Sequence, residues 1–507
     1  MSAPIVWSIA GTDSGGGAGL AADLRAADAF GVHLCPVVAA VTAQNSLRVT
    51  RVAPLAPPLI EAQLEALAAD LPPRVIKTGL LGGAAQVEAV ARHIDRLRAE
   101  HGAVALVVDP VLAASSGASF ANAETIAAYR QWLLPRATLV TPNRREATAL
   151  AGGGNAPALA RALRAAGARA VCITGGDEPG ALACDWIDTE HAQGWLALPR
   201  IDTAHSHGTG CTFATAAAAA LALGFVAADA LVLAKMATAH ALRRARPAGA
   251  GAGPVIAGPG FGADAALLPA LSFGQERSFP PPRAHAGAAL DLYAIVDSAE
   301  RVRAALAAGI RTVQLRIKAP VQAAQLRAQI DASVAACRAA GARLIVNDHW
   351  REAPESGAPA VHLGQEDLLR LGEEGRAALR ASGLALGVSS HSLWELARAK
   401  ALAPSYIACG PVWPTTTKTM PWCPQGLDNL AWWCAVAGAP VVAIGGILTA
   451  AQVRAAAACG ASGVCLLRAL GDDPACTVPA LAQALAEGRR SPPHPVPALP
   501  QPSLRGP

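Results

Sequence analysis

Four clusters of residues in the second half of this 507-residue chain have the types and spacing to bind anions and metal ions. Arg316 and Lys318 flank Ile317 in QLRIK, so an extended segment aims both side chains to one face. Inward cations are costly unless they meet an anion. A phosphate or diphosphate suits both, because Arg offers a planar fork and Lys a point charge; the alternative is a surface salt-bridge pair. Asp348, directly after Asn347, and Asp367, in VHLGQEDL, are carboxylates of neighbouring loops that could share one Mg²⁺. Glu366 is then a competing ligand or a solvated helix-cap charge. GPVWPTTTK joins a backbone glycine, Thr415, Thr416 and Thr417 to Lys418, a neutral-plus-charged set for a phosphate. Gly445 and Gly446 in AIGG have no side chains to keep a phosphate from backbone N–H groups.

A different set lies in the first half. GTDSGGGAGLAADL lacks the GK[ST] ending of a Walker A loop and the G-x-G-x-x-G spacing, yet its glycines permit a tight, ligand-lining turn. Asp23 and Gln44 could together read a small heterocycle with a ring nitrogen and an amino group; the alternative for Asp23 is a solvated helix residue. His207-Gly208-Thr209-Gly210-Cys211-Thr212 opens a long apolar stretch. Successive N–H groups at such a helix start form an anion hole for a phosphate in transfer, and the position predicts a lowered pKa for Cys211. A capped helix with a core cysteine is the plainer reading.

The elements that must hold these residues differ on the two sides of a linker. In the first half, apolar segments at 5–10, 104–108, 139–140 and 170–173 end at GTDSGGG, Asp109-Pro110, TPN and TGG, with Ala/Leu helices between them. This is an α/β pattern whose ligands sit beyond the carboxyl ends of the strands. In the second half, strand-like segments at 292–296, 312–315, 344–346, 360–363, 385–388, 406–408, 441–444 and 463–467 predict a (β/α)8 barrel with its active site at the strand carboxyl ends. Gln314, Arg316, Lys318, Asn347, Asp348, His362, Ser389, Gly410 and the two late glycines all fall at that end. The expected organisation is a domain over 1–270, a proline-containing linker at 271–288, the barrel at 289–490 and a disordered proline-rich tail at 491–507.

Composition excludes other classes. With 52% hydrophobic and 16% charged residues the chain can build cores and is not largely disordered. Its net charge of +5 is spread without a basic stripe, which argues against nucleic acid. The scattered cysteines form no CxxC pair, so reduced thiols in a cytoplasmic enzyme are expected. No positive n-region precedes the early glycines, unlike a signal peptide. The apolar run over 211–234 contains Gly224 and Asp229, favouring a buried helix pair over a membrane span.

The ordered set QLRIK, VND, HLGQED, GVSSH, GPVWPTTTK and IGG over about 290–475 resembles the thiamine-phosphate synthase family. The resemblance implies a TIM barrel that joins hydroxymethylpyrimidine diphosphate to a thiazole phosphate and releases pyrophosphate. By it Gln314, Arg316, Lys318, Asn347, Ser389 and Lys418 hold the pyrimidine diphosphate. Asp348 and Asp367 bind Mg²⁺, and Thr415, Thr416, Thr417 and Gly446 contact the thiazole phosphate. The first half resembles the hydroxymethylpyrimidine/phosphomethylpyrimidine kinases through AGTD, GGAG, Ala22-Asp23-Leu24, Gln44-Asn45, Lys77-Thr78-Gly79, Val108-Asp109-Pro110-Val111, Thr141-Pro142-Asn143, Glu146 and Gly208-Thr209-Gly210-Cys211. That resemblance implies a ribokinase-like three-layer α/β/α fold using ATP. Asp23 and Gln44 then bind the pyrimidine, Gly208, Gly210 and Cys211 surround phosphate transfer, and Asn143 and Glu146 lie near nucleotide and Mg²⁺.

The sequence departs from these patterns at four places. His349 stands where an Arg or Tyr is usual, and Arg468 lies where relatives have a Ser, so it replaces that phosphate contact or is solvated. Ser115 and Thr174 replace two lysines of the kinase, for which Arg144 or Lys235 could compensate. The chain thus reads as a two-step thiamine enzyme acting on small molecules, a homo-oligomer by resemblance. The alternative is an active synthase behind a pyrimidine-binding or oligomerisation module.

Overall fold

The computed structural model describes residues 3–113, 120–281, 289–416 and 420–504. Its contacts divide into two units. One comprises the chain up to Gly262 with Leu267–Arg277, and the other comprises Ala263–Ala266 with Ser278–Leu504.

The first unit is built on β1 (Ile5–Gly11), β2 (His33–Gln44), β3 (Val49–Pro54), β4 (Val75–Thr78), β5 (Ala105–Val108), β6 (Leu139–Val140), β7 (Val171–Ile173), β8 (Leu182–Asp188), β9 (Gln193–Pro199) and β10 (Ala270–Leu271). They form one sheet in the order β10-β9-β8-β7-β6-β5-β4-β1-β2-β3. The run from β7 to β2 is parallel, and its edges are antiparallel. Central strands are buried on both faces, as VIKT in β4 illustrates, because helices cover the sheet. From β1 to β2 the chain moves one way across the sheet and from β4 to β5 the other. Right-handed crossovers therefore put helices Gly19–Phe30 and Ala84–His101 on opposite faces. Helix Thr209–Ala222 packs with the first and carries Ala227–Arg243 against itself, and Pro57–Ala68 packs with the second. This is the expected three-layer α/β/α arrangement. The reversal between β1 and β4 is a topological switch point, where the carboxyl ends of parallel strands leave a crevice.

The apolar run over 211–234 forms the helix pair anticipated from its alanines, turning at Gly224 with φ 94°. Small side chains let the two helices approach closely. Among the described residues no helix is long and apolar enough to cross a membrane.

The second unit closes β11 (Asp291–Val296), β12 (Thr312–Leu315), β13 (Arg343–Asn347), β14 (Ala360–Leu363), β15 (Ala385–Ser390), β16 (Tyr406–Cys409), β17 (Val441–Ala443) and β18 (Gly463–Leu466) into a parallel barrel. Pairing of Asp291 with Gly463 completes the ring. Tyr293, Ile295, Ile345, Tyr406, Val442 and Cys465 fill part of its interior. Gly387 makes room for one of the two phenols, since a Cβ there would lie 2.1 Å from Tyr406 Cζ.

Residues 491–504, expected to be a disordered tail, instead run along this unit. His494 N–H donates to Ala458 O at 2.9 Å and its ring meets Asp428 at 2.7 Å. Gln501 exchanges two hydrogen bonds with the Asn429 side chain, and Ser503 O accepts from Cys423 N–H at 2.8 Å. Prolines remove donors but leave carbonyls and a restricted backbone, so a few anchors suffice to dock such a segment.

Candidate active sites

In the first unit the structure joins two glycine motifs from opposite ends of the fold. Asp13 accepts backbone N–H bonds from Gly15, Gly17 and Ala18 at 2.8–3.0 Å, and its Oδ2 lies 2.9 Å from His207 Nε2. Burial opposes the Asp13 charge, but these donors, His207 foremost, hold its pKa below the usual carboxylate value. A Cβ on Gly208, whose φ is 85°, would meet Gly17 O at 2.1 Å, so glycine is what lets the helix start at 209 reach the loop. Gln44 stands at this junction, half-buried, with its amide 3.4 Å from His207.

Asp23 does not line this crevice. It is fully buried, accepting from Ser8 at 2.6 Å, Thr215 at 2.7 Å and Lys77 at 2.9 and 3.0 Å. Its carboxylate is held in an ion pair with Lys77 and by two hydroxyls. Burial alone would discharge Lys77, yet Asp23, helped by Cys211 and Asp109, raises its pKa above the ordinary lysine value. Cys211 departs from expectation too. Burial pushes its thiol up to about 12, with Asp23 and Asp109 adding to the rise against Lys77. Desolvation outweighs the helix terminus, the opposite of the lowering expected from the helix start.

The unit's unspent chemistry lies at the carboxyl ends of β4, β5 and β6. Thr78 Oγ1, Asp109 Oδ2 and Thr141 Oγ1 are buried without a hydrogen-bond partner. Lys77 Nζ is 3.9 Å from Asp109. Glu146 forms a capping box with Asn143, accepting its N–H at 2.9 Å, and Glu146 also takes a 3.4 Å contact from Leu112 N–H. Burial raises the pKa of both carboxylates, and each senses further negative charge: Glu146 that of Asp109, and Asp109 that of Asp23. The compensating cations considered above are already committed. Lys235 pairs with Asp185 at 2.7 Å, which in turn accepts Gly175 N–H, and Arg144 pairs with Glu178 at 3.0 Å. Thr174 bridges to Asn143 through the backbone. Ser115 lies outside the described residues.

At the barrel mouth the balance is reversed. Arg316 is half-buried, and its guanidinium has no hydrogen bond or ion pair among the described residues. It is near enough to His362 to disfavour a positive ring there. Lys318 is half-exposed and pairs with Asp348, which sits in the left-handed region at φ 66°. Asn347 Nδ2 is a buried donor without a partner. Asp367 caps helix Gln365–Arg370 by accepting Gly364 N–H and pairs with Arg370 at 2.9 Å. Arg370 also reaches Glu366, at 3.6 Å. Gln314 is buried beneath the mouth, its amide donating to Tyr293 OH at 2.8 Å. Its amide N–H is thereby tied to the core of the barrel.

The late loops make a backbone cradle. Val412 and Trp413 N–H groups donate to Ile444 and Gly445 carbonyls, at 2.9 and 3.1 Å. A Cβ on Gly446, at φ 72°, would lie 2.5 Å from Trp413 O. Arg468 donates to Thr416 Oγ1 at 3.2 Å, which brings it to the threonine loop. Thr415 is half-buried in the same loop; Thr417 and Lys418 fall outside the described residues. His349 approaches Ile317 O at 3.5 Å.

Residues 13–256 match the family described as phosphomethylpyrimidine kinase, and residues 292–470 match thiamine monophosphate synthase. A probable thiamine biosynthetic bifunctional enzyme of Oryza sativa subsp. japonica, chloroplastic, is 34% identical over 94% of this chain and 87% of its own. The chain belongs to the bifunctional thiamine biosynthetic enzymes. Relatives of the separate halves agree. A hydroxymethylpyrimidine/phosphomethylpyrimidine kinase of Synechococcus elongatus is 42% identical over 50% of this chain and 97% of its own. A thiamine-phosphate synthase of Neisseria meningitidis serogroup B is 46% identical over 42% of this chain and 100% of its own.

In this bifunctional thiamine enzyme the kinase unit therefore precedes the synthase unit. Sequence reasoning missed Asp109, Thr78 and Thr141 as site residues of the kinase, although each ends or follows a strand in a quoted motif. It also missed Tyr293 and Tyr406 in the synthase. Two aromatics 113 positions apart give no local signal of contact.

Proposed function

We propose that the kinase unit uses ATP to phosphorylate hydroxymethylpyrimidine or its monophosphate to the diphosphate, and that the synthase unit joins this product to a thiazole phosphate. The observation that carries the synthase assignment is the unpaired Arg316 guanidinium beside the unpartnered Asn347 amide, a donor set awaiting an anion. Arg316, Lys318, Asn347, Ser389 and Lys418 would bind the diphosphate. Thr415, Thr416, Thr417, Gly446 and Arg468 would bind the thiazole phosphate. As the diphosphate leaves, Arg316 and Lys318 stabilise its growing charge.

In the kinase unit Gln44 would face the pyrimidine, while the N–H groups of Gly210 and Cys211 at the helix start would meet the phosphoryl oxygens. Asn143 and Glu146 would lie at the nucleotide. Mg²⁺ is ordinarily held by one or two carboxylates together with substrate phosphates. Asp109 Oδ2, which has no hydrogen bond among the described residues, fits that demand in the kinase together with Glu146, as do Asp348 and Asp367 in the synthase, whose present partners, Lys318 and Arg370, are themselves exposed. Bound there, the ion would neutralise phosphate charge.

The test supplies full-length protein with hydroxymethylpyrimidine, ATP, Mg²⁺ and thiazole phosphate, with a parallel reaction given preformed pyrimidine diphosphate. Thiamine phosphate, detected by mass spectrometry, is expected in both. Product only from the preformed diphosphate would overturn the kinase reading for the free pyrimidine. Product in neither would overturn both.

A further inference from the structure

Five side chains form one continuous hydrogen-bonded line through the barrel interior. Gln314 Nε2 donates to Tyr293 OH at 2.8 Å, and Tyr293 OH lies 2.7 Å from Tyr406 OH. Tyr406 OH lies 2.8 Å from His362 Nδ1, and His362 Nε2 lies 2.9 Å from Ser389 Oγ. All are buried except Ser389, which is half-buried at the carboxyl end of β15. The line therefore starts in the core and ends at the mouth. Room for its central phenol is provided by Gly387.

We infer that this line is a one-way relay that fixes the proton positions of His362 and makes Ser389 a donor toward an acceptor atom of the pyrimidine diphosphate. The inference rests on the synthase reading above. The direction follows from counting hydrogens. An amide nitrogen can only donate, so Tyr293 accepts from Gln314, and because Tyr406 is the one acceptor within reach of the Tyr293 hydrogen among the described residues, that hydrogen goes to Tyr406. Tyr406 then has one hydrogen left for His362 Nδ1. A neutral imidazole has one donor and one acceptor, so Nε2 carries the hydrogen and donates it to Ser389 Oγ. Burial keeps the ring neutral, lowering its pKa to about 4. Ser389 Oγ accepts that bond, and its own hydrogen has no other partner among the described residues. A substrate oxyanion or ring-nitrogen lone pair satisfies it, and a substrate N–H does not. His362 is thus a positioning residue that acts through Ser389.

Two measurements on the full-length protein test this. The first is ¹⁵N NMR of ring-labelled histidine, with His362 assigned by loss of its signals in His362→Gln. The expected signature is a single Nε2–H tautomer, and Tyr406→Phe, which removes the Nδ1 partner, should mix the tautomers. An Nδ1–H tautomer in the native protein would overturn the relay. The second is a double-mutant cycle on synthase turnover from preformed pyrimidine diphosphate. Ser389→Ala and Tyr406→Phe should each lower kcat/KM, Ser389→Ala by about 10- to 100-fold as for a lost bond to a charged group. The double variant should be no slower than Ser389→Ala alone. Independent, multiplying losses would overturn the inference. If Tyr406→Phe unfolds by circular dichroism, Tyr293→Phe cuts the same line one link earlier. A native protein with no turnover would instead sink the synthase reading, and the NMR arm would still decide the relay.

Discussion

The two candidate sites leave opposite charges unsatisfied. In the kinase unit every cation considered for the site is paired: Lys77 with Asp23, Lys235 with Asp185 and Arg144 with Glu178. What remains is carboxylate, with Asp109 Oδ2 held only by a 3.9 Å ion pair to Lys77 and Glu146 shifted toward its neutral form. In the synthase unit the remainder is donor: Arg316 unpaired and Asn347 Nδ2 buried without an acceptor. Buried polar groups without partners are costly, so each site is built to receive what completes it. On the proposed function, the kinase site would take a cation with its nucleotide and the synthase mouth a polyanion. The kinase would then meet phosphate through a metal-bridged nucleotide, and the synthase through Arg316 and Lys318 beside a metal at Asp348 and Asp367.

The largest expected effect concerns the spent charges. Asp23→Ala strands Lys77 in the core and should destabilise the kinase unit by about 3–5 kcal/mol. Asp23→Leu combined with Lys77→Met should recover most of that loss. Urea denaturation followed by circular dichroism measures both, and equal losses in the single and double variants would break the view of Asp23 as structural. Next comes the anion side. Arg316→Met should lower synthase kcat/KM by about 10²- to 10³-fold and leave kinase turnover unchanged. Asp109→Asn should do the reverse, lowering kinase turnover by roughly 10²-fold with the synthase intact, and its residual rate should respond less to Mg²⁺ concentration. If each variant impaired both activities, the comparison would fail.

Acidification should separate the units by sign. Folded Glu146, with its pKa raised to about 8, keeps a proton that the unfolded chain releases near 4.5. It therefore contributes stability at low pH that is lost as pH rises from about 4.5 to about 8. Folded His362, with its pKa lowered to about 4, refuses a proton that the unfolded chain binds near 6.5, so its contribution is lost as pH falls through that window. Denaturation from pH 4.5 to 6.5 without ligands should show Glu146→Gln flattening one dependence and His362→Gln the other. The smallest effect is Thr416→Val, which frees Arg468. It should raise KM for the thiazole phosphate by about two- to fivefold, near the worth of one exposed hydrogen bond.

Much of the synthase site was legible because its residues end successive strands. Eight strand-like segments with polar or glycine residues at their carboxyl ends located the barrel, and all eight strands fall within a few residues of the expected segments. In the kinase unit β2, β3, β4, β8, β9 and β10 were not anticipated, nor were the burial of Asp23 and the raised pKa of Cys211. A helical Asp reads as exposed until Ser8, Lys77 and Thr215 are known to surround it, and a helix-start Cys reads as acidic until its desolvation is known. The sequence by itself determined which side chains stand at strand ends and helix starts, since local spacing sets that. Only the tertiary structure decided which of those charges were already paired, which polar atoms were left without partners, and that Gln314 and Ser389 are joined through two phenols and an imidazole. Pairing and burial depend on residues brought together from distant positions, and no local pattern encodes them.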